Sequence, residues 1–406
     1  MKKIVIYAIA LIVCMVSCDK NRLEHDGVST IPLTRSEAQY AAKSNDFSSE
    51  LLQMYYDKVG KAYDFVFSPI GLQMFFGMLN AGASEEQAVQ INRMLGYEGS
   101  SAEGINSFCK KVLETTPKLD PKVTVDVANQ WWLDSATGFK LFPSYTQMMK
   151  EYYQVEPESR DFFTEPMYDI TRSWVLDHTR GMIDYGCPPP YMGSILANAT
   201  YFKADWKEPF DHTLSQTGGF YQEDGSVTEV KYMTRTFNEA ELYINDTFQA
   251  LYLPFGDGAF RMEFYLPRKG KNIQDAISEL RTGDYPKKGE IGRSPVKLPS
   301  FDFSCSNTSL VSDISHHFQV SLSGEYPFCG EDDNGHGFGI GSIAHMARIK
   351  VCEEGAEAAA VTMSSWISSP GPNPREFSAT HPFVFVIREI GSGIVFFSGV
   401  YAGGCQ

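Results

Sequence analysis

An α+β fold is what this sequence predicts, and three observations carry the prediction. Apolar residues fall at helical spacing through the first hundred or so positions. From Val123 onward, runs of alternating or continuous apolar residues take over, punctuated by glycine turns. Helices first and strands afterwards is the order expected of segregated α and β layers, not of a repeating βαβ wind.

The elements follow in order. "SNDFSSELLQMYYDKV" opens with helix-capping residues and sets Phe47, Leu51, Met54 and Tyr55 on one helical face. In "FSPIGLQMFFGMLNAG", Pro69 marks a helix start and small residues close the helix at Gly82. "VTVDVANQWWL" from Val123 alternates as a strand, and "ITRSWVLDHTRGMI" reads as helix. "ILANATYFKADW" is apolar enough for a strand buried on both sides. Asp224-Gly225 is a hairpin turn signal, Gly256 to Gly258 separate two further strands, and Gly391 to Gly393 turn a buried C-terminal hairpin. "GFGIG" at Gly337 to Gly341 lacks phosphate-loop spacing and reads as a loop.

The chain has 406 residues, 43% of them hydrophobic, with a formal net charge of −15. No repeat or low-complexity linker divides its middle, so one large domain is expected over 37–406. The acidic balance argues against nucleic acid, which favours a basic stripe. A monomer is expected. The cysteines Cys109, Cys187, Cys305, Cys329, Cys352 and Cys405 are scattered without paired spacing, so free thiols are expected and no zinc motif is present. No GxSxG elbow or HExxH supports an enzyme, and no cofactor is expected.

The first residues, "MKKIVIYAIALIVCMVSC", read as a targeting segment over 1–17. Lys2 and Lys3 precede an apolar stretch from Ile4 to Val16 that is short for a membrane span. Ser17-Cys18 after that stretch resembles a bacterial lipoprotein signal, with Cys18 as the lipidated residue and 18–36 as a polar tether. Met15 departs from the leucine usual there, and an ordinary secretory signal cut nearby is the alternative.

Near the other end, "EEGAEAAAVTMSSWISSPGP" runs from Glu353 to Pro372. By propensity alone, Glu357 to Val361 is helical, yet the alanines offer almost no apolar anchor for an amphipathic face. The rest of the chain supplies another reading. Phe67 to Leu79, the stretch Trp174 to Ile183, "NATYFKADWKEPF" at Asn198 to Phe210, "AHMARIKVCEEGAEAAA" and "HPFVFVIRE" together resemble five motifs of the serpins, the serine protease inhibitor family. The resemblance covers about Ser36 to Tyr401. It implies helices packed on three mainly antiparallel β-sheets with an exposed reactive-centre loop.

The resemblance also implies the mechanism: a protease cleaves the loop, is trapped as its acyl-enzyme, and the loop inserts as a new strand of the main sheet. Small residues then make sense. In an inserted strand Ala356, Ala358, Ala360 and Thr362 share one face, where bulk or charge would clash or be buried unpaired. Gly355 supplies the bend, and Glu353 matches the acidic residue at the hinge base. Ser68, Asn198 and His345 match the shutter, where the sheet parts, and Trp206 matches the breach under the loop's entry point. Gly71, Ala204 and Cys352 depart from the family's usual serine, glycine and asparagine. Gly71 implies a shutter network one hydroxyl short.

Counting from the hinge places the cleaved bond after Ser369, before Pro370, whereas counting back from Pro382 makes the loop two residues longer than usual. Length discriminates among the candidates. A compact chain of this size is roughly 55 Å across. A strand from Gly355 to Met363 spans only about 30 Å, and one reaching Ser368 about 47 Å. Trp366, Ile367 and Ser368 therefore join Ser369 as candidates, which suits chymotrypsin-like, elastase-like or subtilisin-like proteases. No Lys or Arg lies between Gly355 and Pro374 to suit a trypsin-like one. The rival within the family is a non-inhibitory serpin acting as a binding or carrier protein.

Overall fold

The computed structural model describes residues 28–404 apart from 62, 188–192, 284–287, 308, 323–324, 340–341 and 357–374. Eight helices are described: α1 (Arg35–Val59), α2 (Pro69–Gly82), α3 (Glu85–Leu95), α4 (Ala102–Thr115), α5 (Pro143–Tyr153), α6 (Met167–His178), α7 (Ile273–Thr282) and α8 (Leu310–Phe318). The strands of the first two-thirds are β1 (Phe65–Phe67), β2 (Val123–Asp134), β3 (Lys140–Leu141), β4 (Glu158–Arg160), β5 (Ser194–Asp205), β6 (Gln216–Tyr221), β7 (Val227–Ile244), β8 (Phe248–Pro254) and β9 (Phe260–Pro267). The remainder are β10 (Glu290–Pro299), β11 (Phe301–Asn307), β12 (Glu325–Glu331), β13 (Gly337–Gly339), β14 (Ser342–Val351), β15 (Gly355–Ala356), β16 (Phe377–Ser378), β17 (Phe383–Glu389) and β18 (Val395–Tyr401).

Local chemistry explains the boundaries. α1 starts earlier than its apolar face suggests, because Thr34 and Glu37 form a capping box in which each side chain takes the other's backbone N–H. The packed body therefore reaches into the stretch expected to be tether, and Ile31 is already buried. α2 begins as expected, with Ser68 capping and Pro69 in the first turn. α6 ends at His178 and not at Ile183, because Arg180 and Gly181 both turn to positive φ. Gly337–Gly339 corrects the loop expected there: it forms β13, paired with β12.

Three sheets result. The largest runs β1-β18-β17-β9-β8-β7-β10-β16, with β6 on β7, and includes the C-terminal hairpin. The small one is β13-β12-β3. The third, the main sheet, runs β11-β14-β5-β2-β4, with β15 added against β5. β5 and β14 lie side by side and parallel, at the centre of this otherwise largely antiparallel sheet.

Both faces of the main sheet are covered. Period-two alternation in β2 sends Trp131 to one face, into the core shared with α2, α4 and α5, and Trp132 to the other. On that second face Trp132, Ile195 and Met346 meet Met167 and Val175 of α6. No helix among the described residues is long and apolar enough to cross a membrane. Cys109, Cys187, Cys305, Cys329 and Cys352 are free thiols.

Candidate functional site

The parallel register of β14 with β5 runs from Ser342 opposite Ile195 to Ala347 opposite Thr200, and stops there. The outer neighbours do not stop: β11 stays paired with β14 up to Val351, and β2 with β5 up to Ala204. Beyond Ala347 the seam between the two halves of the sheet is held differently. β15 turns back from the end of β14 and pairs antiparallel with β5, Gly355 opposite Asp205 and Ala356 opposite Ala204.

Just below this point a polar row crosses the sheet. In register across four strands stand Asn307, His345, Asn198 and Asn129. Ser68 comes in from the N-cap of α2, and its backbone N–H donates to His345 Nε2 at 3.0 Å. With Nε2 an acceptor, Nδ1 carries the proton and donates to Asn198 Oδ1 at 3.2 Å. The Asn198 amide nitrogen donates on to Asn129 Oδ1 at 2.9 Å. Complete burial lowers the His345 pKa to about 3, because a charged ring would be desolvated. A second ring proton would also face the Ser68 N–H.

Ser68, Asn198 and His345 thus form one network. Asn129 and Thr200 belong to it as well, the Thr200 hydroxyl donating to Asn198 Oδ1 at 3.4 Å. Neither was expected from sequence, although the in-register position of Asn129 on an alternating strand is a signal. Gly71 has a reason here. A Cβ at this position would stand 2.3 Å from Asn198 Oδ1 and 2.8 Å from Thr200 Oγ1. The space of a serine side chain is occupied by the network itself.

The upper end of the seam is built around Trp206, which is 3% exposed and stacked on Phe255 at 4.5 Å between ring centroids. Its indole N–H donates to the Cys352 carbonyl at 2.9 Å, and its backbone N–H to that of Glu354 at 2.7 Å. Gly355 passes so close to β5 that a Cβ would lie 2.2 Å from the Ala204 carbonyl oxygen. Only glycine fits this approach. Ala356 is buried.

Glu353 is the buried charge at this end, its side chain 3% exposed. Burial alone would raise its pKa. Lys231 Nζ at 2.5 Å and the Ser215 hydroxyl at 2.6 Å hold it below the ordinary carboxylate value. His212, on a single 3₁₀ turn between β5 and β6, faces both Glu353 and Glu354. These partners come from the turn before β6 and from β7, far from Glu353 in sequence, and no sequence signal marks them. Ala358, Ala360, Thr362, Trp366, Ile367, Ser368, Ser369 and Cys18 lie outside the described residues.

Comparison with known proteins agrees with this architecture. The serpin (serine protease inhibitor) family model matches residues 42–402. Serpin-ZX of Arabidopsis thaliana is 29% identical over 385 residues, covering 87% of this chain and 96% of the relative. The thermophilic serpin tengpin in its native state superposes with a TM-score of 0.80 at 20% identity, over 93% of this chain and 96% of its own. Human thyroxine-binding globulin complexed with thyroxine superposes at 0.78 with 18% identity, over 90% and 98%.

Proposed function

Because the chain belongs to the serpin family, whose members in general inhibit proteases, we propose that it is a suicide-substrate inhibitor of serine endopeptidases, with cysteine endopeptidases as a second target class, and not an enzyme. One observation carries the reading. Gly355 and Ala356 already run antiparallel on β5 where the parallel pairing of β14 and β5 ends. A strand entering between two parallel strands from this end satisfies backbone groups on both sides and needs small residues on its buried face. The chain continues from Ala356 with "EAAAVT".

The bond cut is one of those following Trp366, Ile367, Ser368 or Ser369, and the targets are chymotrypsin-like, elastase-like or subtilisin-like proteases. A lipid on Cys18 would hold the inhibitor, as a monomer, at a bacterial cell envelope or surface. The carrier reading gains less. The cavity between α1, α7, β17 and β18 measures ≈ 50 Å³, far below a small-molecule site of several hundred. A recess of ≈ 660 Å³ beside Arg268, Lys269 and Lys271 is open and charged.

The test is to mix the intact protein with one protease of each class and run the products in SDS. A covalent complex that survives denaturation is expected. A loop that is merely clipped, with protease activity fully recovered, would leave the carrier reading in its place.

A further inference from the structure

We propose that His212, Glu353 and Glu354 form a binding site for a divalent transition-metal ion of the zinc class, at the foot of the loop. One ligand atom from each of the three side chains lies within 4.8 Å of the others. On a tetrahedral zinc with bonds of about 2.1 Å, ligand atoms stand roughly 3.4 Å apart. Side-chain rotation supplies the difference, and the His212 ring, 49% exposed, has room for it. One imidazole and two carboxylates is a donor set suited to zinc, with water completing the shell on the open side.

The surroundings favour a cation. The Glu353 and Glu354 side chains are 3% and 13% exposed, so two carboxylates are crowded where water screens them poorly. Lys231 and Ser215 engage Glu353 Oε1. Its other oxygen, Oε2, faces the His212 ring, with Nδ1 at 3.7 Å, too far for a hydrogen bond. Lys231 and Ser215 therefore orient the carboxylate from behind and leave Oε2 for the ion, the role of an outer shell in a metal site. Glu354 Oε1 now meets the other ring nitrogen, Nε2; an ion on Nδ1, the side where Glu353 Oε2 lies, replaces that hydrogen bond and draws Glu354 round to it.

The backbone fixes the frame before any ion arrives. Phe210 N–H donates to the Glu353 carbonyl, and Trp206 N–H to that of Glu354, both at 2.7 Å. Asp211 caps the His212 turn through the Thr213 N–H and hydroxyl, at 2.8 and 2.7 Å. An ion here ties the residues just before Gly355 to the connection leaving β5. That would hold Gly355 and Ala356 seated. The effect on loop insertion rests on the inhibitor reading, whereas the site itself does not.

The experiment is calorimetric titration of zinc chloride into the intact full-length protein, with thermal melting in parallel. We expect one zinc bound at micromolar concentration, with a raised melting temperature. Affinity should fall by at least about tenfold in both His212→Ala and Glu354→Gln, and remain unchanged in His336→Ala, a distant surface histidine. Two results overturn the site: no binding up to about 1 mM zinc, or equal binding by wild type and His212→Ala. A second arm follows the melting of loop-clipped protein over time with and without zinc, and expects slower conversion with it. If zinc binds as described but no protease complex ever forms, the inhibitor reading falls and the site stands. If complexes form and zinc does not bind, only the site falls.

Discussion

Ala356→Arg tests whether insertion proceeds from the seat seen on β5. Ala356 is 3% exposed and opposes Ala204, so the arginine has two choices. Burying an unpaired guanidinium costs several kcal/mol. Withdrawing β15 loses two or three backbone hydrogen bonds, each worth about 1 kcal/mol, and the burial of one methyl, under about 1 kcal/mol. Freeing two residues returns about 1 kcal/mol or more each in backbone entropy. Withdrawal is therefore the cheaper response, at a net cost of roughly 1–2 kcal/mol or less. The intact variant should stay folded and melt within a few degrees of wild type. The clipped variant should differ far more. On the inhibitor reading, a clip between Trp366 and Ser369 in wild type should let the loop enter the sheet and raise the melting temperature by tens of degrees. In the arginine variant the same clip should raise it little, and the SDS-stable protease complex should fall by at least about tenfold, one decade for each 1.4 kcal/mol by which insertion is slowed against deacylation. Ala356→Ser, small enough for the seat, should retain most of both. Full complex yield and a full melting shift in Ala356→Arg would refute the claim that insertion passes through this seat.

Lys231→Met should leave Glu353 buried beside a neutral partner and destabilise the protein by about 3 kcal/mol, read by urea unfolding. Gly71→Ser, although it restores the residue usual in the family, should cost about 1–3 kcal/mol, because its Cβ would meet Asn198 Oδ1 at 2.3 Å. The His345 pKa is lowered in the folded state, from 6.5 to about 3. Its neutral form therefore contributes stability that is complete above pH 6.5 and is lost as pH falls toward 3. The pKa difference corresponds to roughly 3–5 kcal/mol. Unfolding free energies of wild type and His345→Gln should converge on acidification through that window, and parallel pH profiles would contradict the assignment.

Strands were legible wherever glycine marked their ends. Gly225, Gly256, Gly258 and Gly393 all take positive φ at the turns where strands were expected to end. The start of α1 was harder, because the stretch after Arg35 is polar enough to hide its helical face. The "TRSE" capping box was nonetheless present in the text. β13 escaped because a glycine-rich edge strand carries no alternation to read, and its pairing with β12 is a tertiary fact. At the seam, Ser68, Asn198 and His345 could be placed through motif resemblance. His212, Ser215 and Lys231 could not, since 138 positions separate Ser215 from Glu353 and only the folded chain brings them together.

On the inhibitor reading, the division of the main sheet into two halves makes the loop end the place where the protein would change state. β11 with β14, and β2 with β5, are each paired along nearly their full length. The seam between them has six parallel pairs below and two antiparallel ones above. Parallel pairing is slightly the weaker kind, and here it is crossed, without a break in register, by a polar row whose central link is one imidazole bonded to an α2 cap and to Asn198. Opening the seam therefore breaks a short ladder and one side-chain network, while leaving both halves intact. Filling it with a strand antiparallel to both neighbours returns two ladders for the one lost. On that reading, the small residues in the sequence after Gly355 would limit the bulk that an entering strand brings to its buried face. On the inhibitor reading, metastability would lie in this one interface, with the polar row at His345 setting the cost of opening and the entry at Gly355 and Ala356 the ease of insertion. Substitutions at His345 should alter how readily the sheet opens, and substitutions at Ala356 should alter whether anything enters it.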